Sequence, residues 1–286
     1  MRLAIVPLLA ATLLAAPAAA LAAPQPVVTA SGAAGMTYAG VDAGETVSVR
    51  LDDGRLLVKA DRPLEAGAGC EVVTPNQRTV ACRAAKLPDG SLRGFQVFLG
   101  GGTDAVVNHT AAGMTAHGGD GAHDSLTGGA GADALYGGAG DYDRVAGNGG
   151  ADVLGGGPGA DDSVDYHART AGIRVDLEGD ADDGEPGERD QVLADVDDIT
   201  GGHGDDHLEG NAASNVLSGG DGADVLLGLG GLDGIAGGAG DDLLSHNGLG
   251  AAAGDDGAAD NLWASTGADH CVVGVADDDV TTDCED

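Results

Sequence analysis

The stretch Gly128-Gly129-Ala130-Gly131-Ala132-Asp133-Ala134-Leu135-Tyr136 returns as Gly219-Gly220-Asp221-Gly222-Ala223-Asp224-Val225-Leu226-Leu227. Further copies begin at Gly201 (GGHGDDHLE) and Gly237 (GGAGDDLLS). The shared unit is nine residues long and reads Gly-Gly-x-Gly-x-Asp-x-apolar-x. Its first part is a turn, because glycines permit positive φ and close backbone approach. Its last three residues form a short strand with one inward apolar side chain. Such a unit cannot bury its apolar residue alone, so copies have to stack, each on its neighbours.

The turn also gathers oxygen. Glycines bring backbone carbonyls around one point, and the aspartate adds an anionic oxygen. Calcium takes about six to eight such hard ligands. One turn supplies too few, so ligands have to come from adjacent coils. The unit resembles the repeat of the RTX, or hemolysin-type, calcium-binding family, over roughly residues 99–245. That resemblance implies an all-β parallel β-roll (a β-solenoid) of two repeats per coil. It also implies Ca2+ held between the turns of repeats i and i+2.

Two repeats per coil call for a spacing near 18. Asp206, Asp224 and Asp242 recur every 18 residues, and so do Asn215 and Asp233 on the opposite edge. That second edge is irregular, with turns GNAASN and GLGGLD. In the first half, loops at Leu99, Gly118, Gly137 and Gly156 recur every 19 residues and present Asp104, Asp124, Asp143 and either Asp161 or Asp162. Two of these loops (GGDGAHD, GGAGDYD) carry an extra residue before the aspartate. Only the longer reading at Gly156, ending on Asp162, turns Val164 inward. Asp133 and Asp152 sit in turns of normal length, 19 apart. These twelve residues are the expected metal ligands. On the irregular edges, closure without metal stands equally open.

The charge agrees. The chain holds 47 acids against 13 bases, a formal charge of −34. Residues 24–98 are balanced, with eight of each, whereas residues 201–286 hold 18 acids and no Lys or Arg. A compact array of that density repels itself unless counter-ions bind, so the repeat region is expected to fold on taking up calcium. Such a surface is a poor partner for nucleic acid.

Residues 1–22 read as a secretory signal peptide: Arg2, an apolar run, then small residues ending Ala20-Leu21-Ala22. No later segment is apolar enough to span a bilayer. The expectation is a secreted, extracellular protein. Four cysteines fall in two local pairs outside the repeats, Cys70 with Cys82 and Cys271 with Cys284, and disulfides suit that compartment.

The expected organisation is a small β-rich domain over 23–98, a first roll block over 99–165 and an insert over 166–200. A second block over 201–250 and an acidic C-terminal cap over 251–286 complete it. In the first domain Thr46–Leu51 alternates as a strand and Asp53-Gly54 suits a hairpin. The insert carries a strand at Ile173–Leu177 and an acidic stretch, Gly179–Asp190, that is expected to be a solvated loop and does not fit an EF-hand.

No HExxH, GxSxG or GxxxxGK[ST] motif occurs. His203 and His207 occupy variable positions of one repeat, and Asn108-His109-Thr110 matches a glycosylation sequon. The expected role is a non-catalytic structural or adhesive module, with extracellular or cell-surface polysaccharide as the partner class. The alternative is an extracellular carbohydrate-active enzyme, polyuronate epimerase- or lyase-like, working along the roll face.

Overall fold

The protein is described from a computed structural model, covering residues 25–31, 35–88, 90–247, 260–273 and 280–285. The expected signal peptide lies outside the described residues, as do 248–259 of the expected second block and cap. Among the described residues there is no helix, and every regular element is a β-strand.

The chain winds as a parallel roll. One face is a sheet of 13 strands; the other comprises an eight-stranded and a five-stranded sheet. From Ala105–Asn108 onward successive strands alternate between the faces, except in the insert, where Arg174–Asp176 and Gln191–Val192 both belong to the second face. The registers give the pitch. Thr115 pairs with Ala134 and Ala134 with Val153, a coil of 19 residues. His207 pairs with Val225 and Val225 with Leu243, a coil of 18.

The inward residue of each three-residue strand stacks on its equivalent one coil away. Leu126, Val145, Val164, Ile199, Leu217 and Ile235 form one such column, all buried. Leu135 with Leu154, and Leu208 with Leu226 and Leu244, line the opposite wall. Burying one such side chain stabilises by about 1.5–3 kcal/mol, so the core grows linearly with coil number.

The seven-residue turns keep this stacking in phase by a backbone device. His123, Tyr142 and Asp161, each the residue before the turn's last aspartate, take left-handed φ of 65°, 65° and 59°. The extra residue is absorbed in that kink, so the aspartate and the strand after it stay in register.

The parallel pairing extends back before Leu99. Gly35–Asp42 pairs with Phe95–Gly101, and Thr46–Asp52 with Ala105–Asn108, so residues 35–52 form a coil of the roll. An antiparallel extension follows: Thr46–Asp52 turns through Asp53-Gly54 into Arg55–Ala60, which pairs with Thr79–Arg83. Asp53 and Gly54 take φ of 44° and 73°, as a tight hairpin requires. Cys70–Cys82 and Cys271–Cys284 are both disulfides.

The insert leaves the large sheet unbroken: Ser163–Asp165 pairs directly with Asp198–Thr200. On the other face Arg174–Asp176 opens the five-stranded sheet, and Gln191–Val192 closes the eight-stranded one. The stretch Gly179–Asp190, expected as a solvated loop, is solvated only in part: residues 180–182, 186, 187 and 189 are exposed, but two of its aspartates turn inward. Asp183 and Asp190 are 1% and 0% exposed. Asp190 directly follows Asp152 in the stack, its Oδ1 accepting the Asp152 N–H at 2.9 Å.

Candidate metal-binding turns

The turns form two columns, one along each edge of the roll. The first contains Asp104, Asp124, Asp143, Asp162, Asp197, Asn215, Asp233 and Asp260, each just before a strand of the large sheet. The second contains Asp133, Asp152, Asp190, Asp206, Asp224, Asp242 and Asp269, each before a strand of the other face.

Within a column the carboxylates are tied together by the backbone. The N–H of Asp104 donates to Asp124 Oδ1 at 2.7 Å, Asp124 to Asp143 at 2.8 Å, and Asp143 to Asp162 at 2.8 Å. On the second edge Asp206 donates to Asp224 Oδ1 at 2.8 Å, Asp224 to Asp242 at 2.9 Å, and Asp242 to Asp269 at 2.9 Å. One oxygen of each carboxylate is thus used to hold coil to coil.

The other oxygen is not. Oδ2 of Asp104, Asp124, Asp143, Asp152, Asp162, Asp224, Asp242 and Asp269 is buried and accepts no hydrogen bond. All eight side chains are at most 1–2% exposed. An ionised oxygen held this way is costly unless a cation meets it. The same burial raises the carboxyl pKa of Asp124, Asp152 and Asp224 to about 7, and of Asp162 to about 6. Asp104, Asp143 and Asp242 are raised for the same reason.

The Oδ2 of Asp124, Asp143, Asp152, Asp162, Asp224 and Asp242 points back at the first glycine of its own turn. A Cβ on Gly118, Gly147, Gly219 or Gly237 would collide with the Oδ2 of Asp124, Asp152, Asp224 or Asp242. Glycine at this position therefore keeps open a pocket whose wall is a buried, unpartnered anionic oxygen. Hard oxygens, charge in excess and a cradle that a Cβ would fill are what a calcium ion requires. The residues fit the ion.

The remaining candidates are placed differently. Asp133 and Asp206 are in the ladder, but their Oδ2 atoms accept the N–H of Gly129 and Gly202, both at 2.6 Å. Burial still lifts Asp133 to about 6. Asp161 faces solvent, and the ladder carboxylate of its turn belongs to Asp162. Asn215 closes its own turn: Oδ1 accepts the Asn211 N–H, and Nδ2 donates to the Asp197 carbonyl, each at 2.8 Å. Asp233 is buried and accepts the Asn215 N–H at 2.9 Å.

Asn108 of the sequon is 3% exposed, and its amide closes another turn by donating to the Ala112 carbonyl at 2.9 Å. His203 pairs with Asp221 and His207 lies near Glu209, so the two histidines face different carboxylates.

Several ladder residues escape the repeat pattern. Asp260 and Asp269 stack directly on Asp233 and Asp242, but this coil takes 27 residues, nine more than its neighbours, which breaks the 18-residue count. A trace was legible: Gly267-Ala268-Asp269 repeats the Gly-Ala-Asp of the best turns, and Gly267 takes φ 157° where Gly240 takes 141°. Glu45 heads the first column with a longer side chain in the aspartate's place, and only its contacts reveal it. Asp176, Asp182 and Asp183 place carboxylate oxygens within 4.8 Å of one another. Both oxygens of Asp183, however, accept backbone N–H groups of Asp176 and Val192.

Fold and turns together define a calcium-type parallel β-roll. A family model described as the RTX calcium-binding nonapeptide repeat matches the chain in four copies, over residues 115–142, 141–162, 193–216 and 209–244. The chain thus carries RTX repeats, and calcium is their expected partner. No curated protein matches it. Among the described residues no helix is long and apolar enough to cross a membrane.

Proposed function

We propose that this chain is a secreted protein whose roll folds on meeting calcium outside the cytoplasm, and that it serves as a non-catalytic structural or adhesive module. The observation that supports the reading is the ladder of buried aspartates whose second oxygens accept no hydrogen bond. When bound, calcium supplies the positive charge these oxygens lack. The chain's own part is to fix the carboxylates coil to coil and to keep the first-glycine pocket open. Extracellular calcium suits sites with dissociation constants on the order of 10⁻⁴–10⁻³ M. The leader-like residues 1–22 and the two disulfides favour export. For the adhesive role we assign extracellular or cell-surface polysaccharide as the partner class.

Calorimetric titration with calcium, and separately with magnesium, tests the binding. A calcium-selective heat with several ions per chain is expected, and no calcium heat would overturn the reading. Turnover of a polyuronate by the calcium-loaded protein would overturn its non-catalytic part.

A further inference from the structure

Two turns of the roll are built differently from the rest, and in the same way as each other. The first spans residues 40–45 at the head of the first column. There Glu45 stands in the aspartate's place, 1% exposed, and its N–H donates to Asp104 Oδ1. Buried Tyr38 donates its hydroxyl to Glu45 Oε2, and the Val41 N–H donates to Oε1 at 3.2 Å. Arg62 Nε lies 3.7 Å from Oε1, and its Nη2 donates to the Gly44 carbonyl at 2.7 Å.

The second spans residues 184–190 in the insert. Arg189 takes φ 66°, the kink of the other seven-residue turns, and Asp190 joins the second column. Buried Tyr166 donates its hydroxyl to Asp190 Oδ2 at 3.0 Å. Arg169 reaches Glu188 at 2.8 Å and Glu185 at 3.2 Å, with its guanidinium 5.8 Å from the centroid of the Tyr166 ring. Glu188 Oε1 also accepts the Gly150 N–H at 3.4 Å, so this carboxylate lies between the stacked turns 147–152 and 184–190.

In both turns a tyrosine O–H occupies the carboxylate oxygen that accepts nothing in the turns of Asp124, Asp143, Asp152, Asp162, Asp224 and Asp242. In both, an arginine neutralises the local charge and is itself hydrogen-bonded by turn groups. A donated proton points where a cation would have to sit, and a fixed guanidinium repels a divalent ion at close range. Both turns also lie outside the four matched repeat segments.

We infer that Tyr38 with Arg62, and Tyr166 with Arg169, are protein-supplied substitutes for calcium, so that turns 40–45 and 184–190 bind no ion. Resting on the calcium reading of the other turns, this makes the first coil and the junction between the two repeat blocks calcium-independent joints. The plug at Asp190 lies where the second column passes from one sheet to the next, the ladder resuming with the Ile173 N–H on Asp206 Oδ1 at 2.9 Å.

Crystals of the full chain grown in calcium, with anomalous difference maps, test this directly. Peaks at the turns of Asp124, Asp143, Asp224 and Asp242 with none beside Glu45 or Asp190 are expected. A calcium peak at either plugged turn overturns the inference and leaves the calcium reading standing. No peak anywhere removes the calcium reading and the inference with it. In solution, the double variant Tyr166→Phe/Arg169→Gln, checked as folded in saturating calcium, should bind one more calcium per chain by metal analysis than the parent. An unchanged count in the folded variant contradicts the plug.

Discussion

The backbone N–H of Asp133 donates to Oδ1 of Asp152, one coil further on, at 2.7 Å. This bond commits one oxygen of Asp152 to holding the roll together and turns the other toward Gly147, where a Cβ would meet it. Gly147→Ala should therefore destabilise the calcium-loaded roll by about 1–3 kcal/mol, the usual cost of overpacking. Gly149→Ala, two residues along the same turn, places its Cβ no nearer than 3.9 Å from any neighbour. It should stay within about 0.5 kcal/mol of the parent. Thermal melts of both variants in saturating calcium check the pair, and equal losses would contradict the cradle.

Asp224 sits between two intact neighbours, accepting from Asp206 and donating to Asp242. Asp233 has Asn215 on one side, whose amide is already engaged. Asp224→Ala should damage two ion sites and raise the calcium midpoint about tenfold or more, as a loss of about 1.4 kcal/mol implies. Asp233→Ala should shift it far less. Indistinguishable titrations of the two variants would contradict the division into a strong and a weak edge.

Without calcium the roll should be more stable in mild acid than at neutral pH. Burial raises Asp124, Asp152 and Asp224 to about 7, and Asp133 and Asp162 to about 6, from an ordinary value of 3.8. The folded state therefore keeps protons that the unfolded chain gives up. That contribution is complete below about pH 4 and is lost as pH rises through 6 to 7. In chelator, melts at about pH 4.5 should show more cooperative β-structure than melts at about pH 7.5. With calcium the dependence reverses, because protons and the ion compete for the same oxygens. A chelated chain more stable at neutral pH would contradict the raised carboxyls.

Much of this was legible before any coordinates. The Gly-Gly-x-Gly-x-Asp turns, the 18- and 19-residue spacings and the inward Val164 all follow from a two-residue strand period joined to a fixed turn. The insert was misread because its aspartates follow no repeat: Asp183 and Asp190 are buried by contacts with Asp176, Val192 and Tyr166 that no local pattern announces. Glu45 was hidden by its identity, since a glutamate preceded by non-repeat residues gives no nonapeptide signal. Asp260 and Asp269 were hidden by a change of spacing. In each case the missing information is which coil stacks on which.

The most direct measurement is far-UV circular dichroism of the chain during a calcium titration, with magnesium as the control. A cooperative, calcium-specific gain of β-structure is the result this account predicts. A spectrum already fully β at neutral pH in chelator, and unchanged by calcium, would contradict it.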